Sequence, residues 1–198
     1  MDKVPLHDLL QQVRDCRICA DELPLGPRPV VRISPTATVL IIGQAPGTKV
    51  HASGIPWDDP SGDRLRQWLQ LDKAEFYDEN HIAIVPMGLC YPGKGKSGDL
   101  PPRKECAPQW HQPLFEHLPS KKLTLLIGQY AQNYYLPEDF KRRYKTLTEK
   151  VKHGHELAKD IFPLPHPSPR NQLWLKRNPW FDEEILPRLR QQLHQSLS

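Results

Sequence analysis

The chain has 198 residues, of which 38% are hydrophobic and 25% are charged, a size and composition that suit one globular domain with a single well-buried core. No apolar run approaches the roughly 20 residues that cross a bilayer, which excludes a membrane-spanning helix. The net charge of +4 and the pI near 8.9 permit a polyanionic partner without requiring one.

The predicted strands are four short apolar runs, at residues 39–42, 82–85, 123–127 and 161–164. Runs of this length are typical of strands that are buried on both faces. Helical patterns surround and separate them, at residues 6–13, 62–71, 104–118, 129–136 and 181–197. This alternation predicts an α/β fold, a three-layer α/β/α sandwich with a central four-stranded, mostly parallel sheet, formed as one domain by residues 1–198.

Ligands of such sheets bind at the carboxyl ends of the strands. That rule selects four loops as the candidate site: residues 43–57, 86–96 and 165–174, and the turn that follows Ile127. The chain has 22 prolines, and its Pro-dense stretches coincide with these loops, where they hold the backbone in preset turns.

The four cysteines of the chain, Cys16, Cys19, Cys90 and Cys106, have a spacing that indicates a metal site. The first two form a C-x2-C pair, 70 residues separate Cys19 from Cys90, and 15 separate Cys90 from Cys106. Four thiolates suit zinc or an iron–sulfur cluster, and the wide second pair favours the cluster. The alternatives are two disulfides or four ordinary buried thiols. The chain opens in polar sequence without a secretory segment, so we expect a cytoplasmic protein.

Two of the strand-end loops carry distinctive motifs. Residues 43–47 follow a buried strand directly, and their two glycines and one proline make a rigid turn that brings backbone N–H groups close to a ligand. Residues 166–171 follow the last strand, and the prolines on both sides of Ser168 hold His166 in place. A histidine clamped in this way is more typical of a functional site than of a surface loop.

These motifs together resemble the uracil-DNA glycosylase superfamily, and residues 56–62, 90–92 and 126–128 extend the resemblance in the same order along the chain. The cysteine pattern is similar to that of the branch that carries a [4Fe-4S] cluster, while residues 169–171 look like the single-strand-selective monofunctional branch. The resemblance implies a [4Fe-4S] cofactor on the four cysteines, a DNA partner that contains a damaged or deaminated base, and a monomeric protein.

The resemblance also implies how a base is bound. By position, Trp57 stacks against the flipped base, although a plain core tryptophan is the alternative. His166 donates a hydrogen bond to the pyrimidine oxygen as negative charge develops there. The other base-binding candidates are Gly43, Ala45, Pro46 and Pro86.

The acid of the reaction is harder to assign. The first motif has Gln44 and Ala45 where relatives place a carboxylate or an asparagine, and Gln44 is therefore a catalytic candidate without an acid beside it. Asp58 and Asp59 are the substitutes, because another branch with alanine in this motif carries a catalytic Asp on the following loop. Either could orient water and balance the charge on the sugar, or both could simply cap the helix that begins near Ser61. We favour Asp59 slightly over Asp58.

One departure from the family concerns base recognition. Relatives read uracil with an Asn at the end of the second strand, where this chain has Pro86 followed by Met87. Neither residue offers a side-chain amide. Three explanations stay open: backbone groups read the base, the substrate is a deaminated purine such as hypoxanthine or xanthine, or glycosylase activity has been lost.

Candidates for DNA contact lie beside the strand-end loops. Arg170 is the candidate for the wedge that fills the gap left by the flipped base. The other DNA-binding candidates are Ser168, Asn171, Trp174 and Lys94. The basic run at residues 141–145 is a weaker candidate, because its helix need not face the cleft.

The leading hypothesis is a monofunctional DNA glycosylase of base excision repair that hydrolyses the N-glycosidic bond of a flipped deaminated base. Uracil is the first candidate substrate, with hypoxanthine and xanthine as alternatives. No lysine lies inside the motifs to form a Schiff base, so we expect no strand cleavage. The competing hypotheses are a catalytically inactive nucleic-acid-binding protein of the same fold and a metal-binding protein of unrelated function.

Overall fold

A computed structural model describes residues 3–198 of the protein. Its strands are β1 (Val39–Ile42), β2 (Ile82–Ile84), β3 (Lys94–Gly95), β4 (Gly98–Asp99), β5 (Leu123–Ile127) and β6 (Ile161–Leu164). Four of them form one sheet in the order β2-β1-β5-β6, and every pair in this sheet is parallel. Strands β3 and β4 form a separate antiparallel hairpin.

The α-helices of the described residues lie between and around these strands. They are α1 (Leu6–Arg14), α2 (Thr48–Ser53), α3 (Pro60–Leu69), α4 (Lys73–Phe76), α5 (Gln112–Phe115), α6 (Gln129–Tyr135), α7 (Glu138–Arg143), α8 (Leu147–Lys152), α9 (Gln172–Arg177) and α10 (Leu186–Leu197). Wide turns at Ala107–His111 and Phe181–Ile185 lead into α5 and α10, and short 3-10 turns occur at Ala20–Glu22, Gly154–Glu156 and Pro169–Asn171.

The core has two apolar layers, one on each face of the parallel sheet. Successive side chains of a strand point to opposite faces. Leu40 and Ile42 of β1 therefore face α1, α5, α6 and α7, while Val39 and Ile41 face α3, α4, α8 and α10. Each fully buried aliphatic side chain of this kind contributes roughly 1.5–3 kcal/mol of hydrophobic stabilisation. This arrangement confirms the predicted three-layer α/β/α fold.

The predicted elements differ from the observed ones mainly where proline intervenes. The helix predicted over residues 104–118 is shorter, because it starts in the wide turn at Ala107–His111 and α5 ends at Phe115. Pro113 lacks the N–H that a regular helix would donate to the Gln109 carbonyl, which favours the wider turn. Helices α2, α4, α8 and α9 escaped prediction because four to six residues are too few to show a helical period.

Among residues 3–198, every helix is too short or too polar to span a bilayer.

Candidate active site

The four loops that follow the parallel strands meet at one cleft of about 700 Å³. Gln44 comes to it from the end of β1, Pro86 from β2, Gly128 from β5 and His166 from β6. Parallel strands end at the same edge of a sheet, which is why residues more than 100 positions apart converge here. Every predicted catalytic, base-binding and DNA-binding residue lines this cleft except Asp58.

Trp57 has an unusual backbone conformation, with a φ of 60° in the left-handed region. A bulky residue adopts this conformation only where its surroundings enforce it. Two glycines make room for it. A Cβ on Gly43 would lie 2.7 Å from the Trp57 ring, and a Cβ on Gly62 would lie 1.7 Å from the Trp57 carbonyl oxygen. Arg66 Nη1 also donates to that carbonyl at 3.3 Å. The Trp57 indole thus packs directly against Gly43 of the first motif.

The indole of Trp57 and the imidazole of His166 form one wall of the cleft. Their ring centroids are 5.7 Å apart and the planes are inclined by 36°. Trp57 is half-buried and also packs against the apolar layer below it, so it belongs both to the core and to the cleft. The two rings that the resemblance assigned to base binding therefore lie side by side and face the same space.

The hydrogen bonds of His166 determine which ring nitrogen carries the proton. Its Nδ1 accepts from the main-chain N–H of Ser168 at 3.2 Å. In the neutral ring the proton is consequently on Nε2, which is left as a donor. Burial lowers the pKa of His166 to about 4, so the ring is neutral at physiological pH.

The loop that carries His166 is tied down on both sides. Asn171 Nδ2 donates to the His166 carbonyl at 2.7 Å, and Arg64 of α3 donates to the Ser168 carbonyl at 3.1 Å. Ser168 Oγ also accepts from the main-chain N–H of Arg170 at 3.2 Å. These bonds hold the imidazole in a set orientation, as a preorganised donor requires.

Of the two candidate acids, only Asp59 reaches the cleft. Its Oδ1 accepts from the Gly62 N–H at 2.8 Å and caps α3, so the capping role and the position at the site belong to one side chain. Burial raises the pKa of Asp59, because desolvation disfavours the carboxylate. Asp58 does not line the cleft. Asp59 is in extended conformation, where neighbouring side chains point to opposite sides.

The β3–β4 hairpin at the cleft was not anticipated from the sequence. Arg170 Nη1 donates to the Ser97 carbonyl at 2.6 Å, and the Asp99 carboxylate lies against Gly47 of the first motif. The hairpin thus bridges the two motif loops. Strands of two residues have no detectable alternation, and the local signals are Gly93 and Gly98, whose φ angles of 108° and 134° suit glycine alone. The guanidinium of Arg170, the predicted wedge, is held on this hairpin.

Behind the cleft, Pro86 is held by a buried histidine. His111 is 2% exposed, and its Nε2 lies 2.9 Å from the Pro86 carbonyl oxygen. A carbonyl can only accept, so Nε2 carries the proton, and Nδ1 accepts from the hydroxyl of Tyr135. Burial lowers the pKa of His111 to about 4.

This low pKa predicts a loss of stability in mild acid. The unfolded chain binds a proton at His111 near pH 6.5, whereas the folded chain binds it only near pH 4. The free energy of unfolding therefore falls as the pH drops from about 6.5 to about 4 and changes no further below that. His111 alone should account for roughly 2 kcal/mol at pH 5.

Urea unfolding at pH 7.5 and pH 5 measures this effect. We expect His111→Gln to show a smaller difference between the two pH values than the unaltered protein. His7→Gln is the matched control, because the His7 side chain is 87% exposed. An equal pH dependence in His111→Gln and the unaltered protein would show that His111 is protonated at the same pH in both states.

All four cysteines line a second, small cavity between the N-terminal segment and the loops that contain Cys90 and Cys106. Each is a free thiol, which is contrary to the disulfide alternative. Burial raises the pKa of Cys90 to about 11 and that of Cys106 to about 12, so a cation must replace the proton before these thiols become ligands. The Leu89 N–H also points at Cys106 Sγ, at 3.5 Å.

The separation of the sulfurs distinguishes between the metals that four thiolates suit. No three of the four lie within 4.8 Å of one another, and all four cysteines belong to the described part of the chain. Tetrahedral zinc, with Zn–S bonds of about 2.3 Å, would bring its sulfurs to about 3.8 Å apart. In a four-iron cluster each cysteine binds a different corner, which keeps the sulfurs farther apart. One tetrahedral zinc ion would therefore require the sulfurs to move closer together, and four free thiols around one cavity are a donor set that a [4Fe-4S] cluster takes.

Comparison with known proteins agrees with this architecture. A family model described as "Uracil DNA glycosylase superfamily" matches residues 31–190. The matched region contains all four strand-end loops of the cleft together with Cys90 and Cys106. Cys16 and Cys19 precede it.

Proposed function

The chain belongs to the uracil DNA glycosylase superfamily, and on that premise we propose that it is a monofunctional DNA glycosylase that removes a deaminated base and leaves an abasic site. The observation that carries the proposal is the pairing of Trp57 with His166 in a cleft at the carboxyl edge of the sheet. One ring supplies a flat apolar face for an extruded base, and the other supplies a preset hydrogen-bond donor.

The reaction breaks the bond between the base and C1′ of the sugar, and the electron pair of that bond leaves with the base. Trp57 stacks on the extruded base, and the Nε2–H of His166 donates to the base oxygen on which negative charge grows. Because His166 is neutral, it stabilises the anion as a hydrogen-bond donor and keeps its proton.

Asp59 would serve the sugar side of the same reaction. Burial raises the pKa of its carboxyl group, and the hydrogen bond from the Gly62 N–H lowers it. When ionised it stabilises the positive charge at C1′ and accepts a proton from the attacking water, whose oxygen bonds to C1′. The departing base takes up a proton from solvent.

DNA would be gripped at the rim of the cleft. Lys94 and Lys96 are exposed on the hairpin, and the Leu173 side chain is 57% exposed at the start of α9. Because the Arg170 guanidinium is held on the hairpin, we propose the exposed Leu173 as a second candidate for the wedge. The basic run at 141–145 is partly neutralised, since Lys141 pairs with Glu138 at 2.6 Å and Arg143 with Glu156 at 2.9 Å.

We further propose that Cys16, Cys19, Cys90 and Cys106 hold a structural [4Fe-4S] cluster that ties the N-terminal segment to the body of the domain. The shared cavity, the free thiols and the separation of the sulfurs support this. A cluster of this kind needs the reducing conditions of the cytoplasm. We expect the protein to act as a monomer.

The decisive experiment is an excision assay with a panel of oligonucleotides. The panel carries uracil, hypoxanthine or xanthine, each in single and double strands, and alkali converts abasic sites into breaks. We expect alkali-dependent breakage of at least one substrate and none before alkali, since no Schiff-base lysine lies in the motifs. Absence of breakage across the panel with retained DNA binding would instead support a binding protein without excision activity, the alternative that Pro86 favours.

A further inference from the structure

Of residues 86–91, which follow β2, only Pro86 lines the cleft. The Pro86 carbonyl accepts from His111, the Met87 N–H donates to the Gly43 carbonyl at 2.9 Å, and the Gly88 N–H donates to the Gln44 carbonyl at 2.8 Å. These bonds attach the loop to the first motif and to the interior. These three backbone groups are therefore engaged within the protein.

The Gln44 side chain is different. It lies at the end of β1, half-buried in the cleft, and packs against Gly128 at the end of β5. Gly128 has a φ of 85°, and a Cβ there would contact the Gln44 side chain from 3.6 Å. Within residues 3–198, the Gln44 carboxamide makes no hydrogen bond. Asn171, another amide of the cleft, instead donates to the His166 carbonyl.

A free carboxamide presents one acceptor beside one donor. Its complement on a base is an edge with a ring N–H beside a carbonyl, which uracil, hypoxanthine and xanthine share. Asn and Gln recognise base edges by such paired bonds. Gln44 and His166 stand at the ends of β1 and β6, two strand spacings or about 10 Å apart.

We propose that Gln44 is the base-reading residue of this cleft and recognises the N–H/C=O edge of a deaminated base. The proposal rests on the proposed glycosylase function. In this proposal the Gln44 carboxamide, at the end of the neighbouring strand β1, takes the role of the asparagine amide that relatives have at the position of Pro86. It also accounts for a site that takes deaminated pyrimidines and purines alike, because the same edge occurs in both.

The test compares Gln44→Leu and Gln44→Glu with the unaltered protein and with Gln191→Leu, in which an exposed amide on α10, outside the cleft, is removed instead. Single-turnover excision of uracil and hypoxanthine is measured, together with binding to DNA that carries a tetrahydrofuran abasic-site analogue and so has no base to read. We expect Gln44→Leu to excise on the order of 10- to 100-fold more slowly with unchanged affinity for the analogue. Gln44→Glu should lose activity as well, since a carboxylate repels the base carbonyl.

Gln191→Leu should match the unaltered protein in both assays. Wild-type excision rates in Gln44→Leu would overturn the proposal, and so would equal losses in excision and in analogue binding. If the unaltered protein excises none of these substrates, the proposed glycosylase function is refuted. The role of Gln44 in base recognition is then tested by DNA binding alone. A preference for uracil-containing DNA over the analogue that Gln44→Leu abolishes would then support it, and no such preference would refute it.

Discussion

Replacing His166 with alanine should lower the rate of base excision on the order of 10²- to 10³-fold, because removal of one preorganised donor to a developing anion has that effect in other enzymes. The loss should fall on the chemical step rather than on DNA affinity. In the proposed reaction, Nε2–H of His166 donates to the base while Nδ1 accepts from the Ser168 N–H, so the contribution of His166 should grow as the base becomes an anion. Single-turnover excision and binding to abasic-analogue DNA measure the two separately.

The pH dependence adds a sharper test of the same residue. With a pKa near 4, His166 is a neutral donor across the working range. The ratio of the unaltered rate to the His166→Ala rate should therefore stay constant between about pH 5 and 8. If the donor were instead an imidazolium with an ordinary pKa, the ratio would fall as the pH rises through about 6.5. His155→Ala, at an exposed position, is the control for general effects of losing a histidine.

Cys90→Ser should remove most of the bound iron and destabilise the whole protein. We expect the unaltered protein, purified without oxygen, to be brown and to contain about four iron atoms per chain. Loss of one ligand would release the N-terminal segment from the loop at Cys90 and leave the buried thiols of Cys19 and Cys106 and the half-buried thiol of Cys16 around a cavity. A loss of roughly 4 kcal/mol would lower the melting temperature by on the order of 10 °C in a domain of this size.

The matched control is Ile18→Ser, which changes a 57% exposed residue between Cys16 and Cys19 without altering a ligand. It should keep its iron and its melting temperature. A Cys90→Ser protein that is as stable and as active as the unaltered one would rule out a structural cluster. One equivalent of zinc with no iron would do the same, and would require the four sulfurs to move closer together than they are here.

The elements that could be predicted from sequence are those determined by local residue patterns. Uninterrupted apolar runs predicted the four strands of the parallel sheet to within one residue, since only a strand with helices on both faces has no polar side to show. The strand-end rule then selected the loops of the cleft, and the motif resemblance assigned Trp57 and His166 to it. The family match agrees with that resemblance.

Only the tertiary structure determines which side chains contact one another and which make no hydrogen bond. Asp59 rather than Asp58 faces the cleft because of one extended residue after the left-handed turn at Trp57. The hairpin reaches Arg170 across 73 positions of sequence, and His111 reaches Pro86 across 25. Whether an amide such as Gln44 is free depends on every neighbour that could have bonded to it. Composition and periodicity describe a segment, whereas a binding site is made by segments that are distant in the chain.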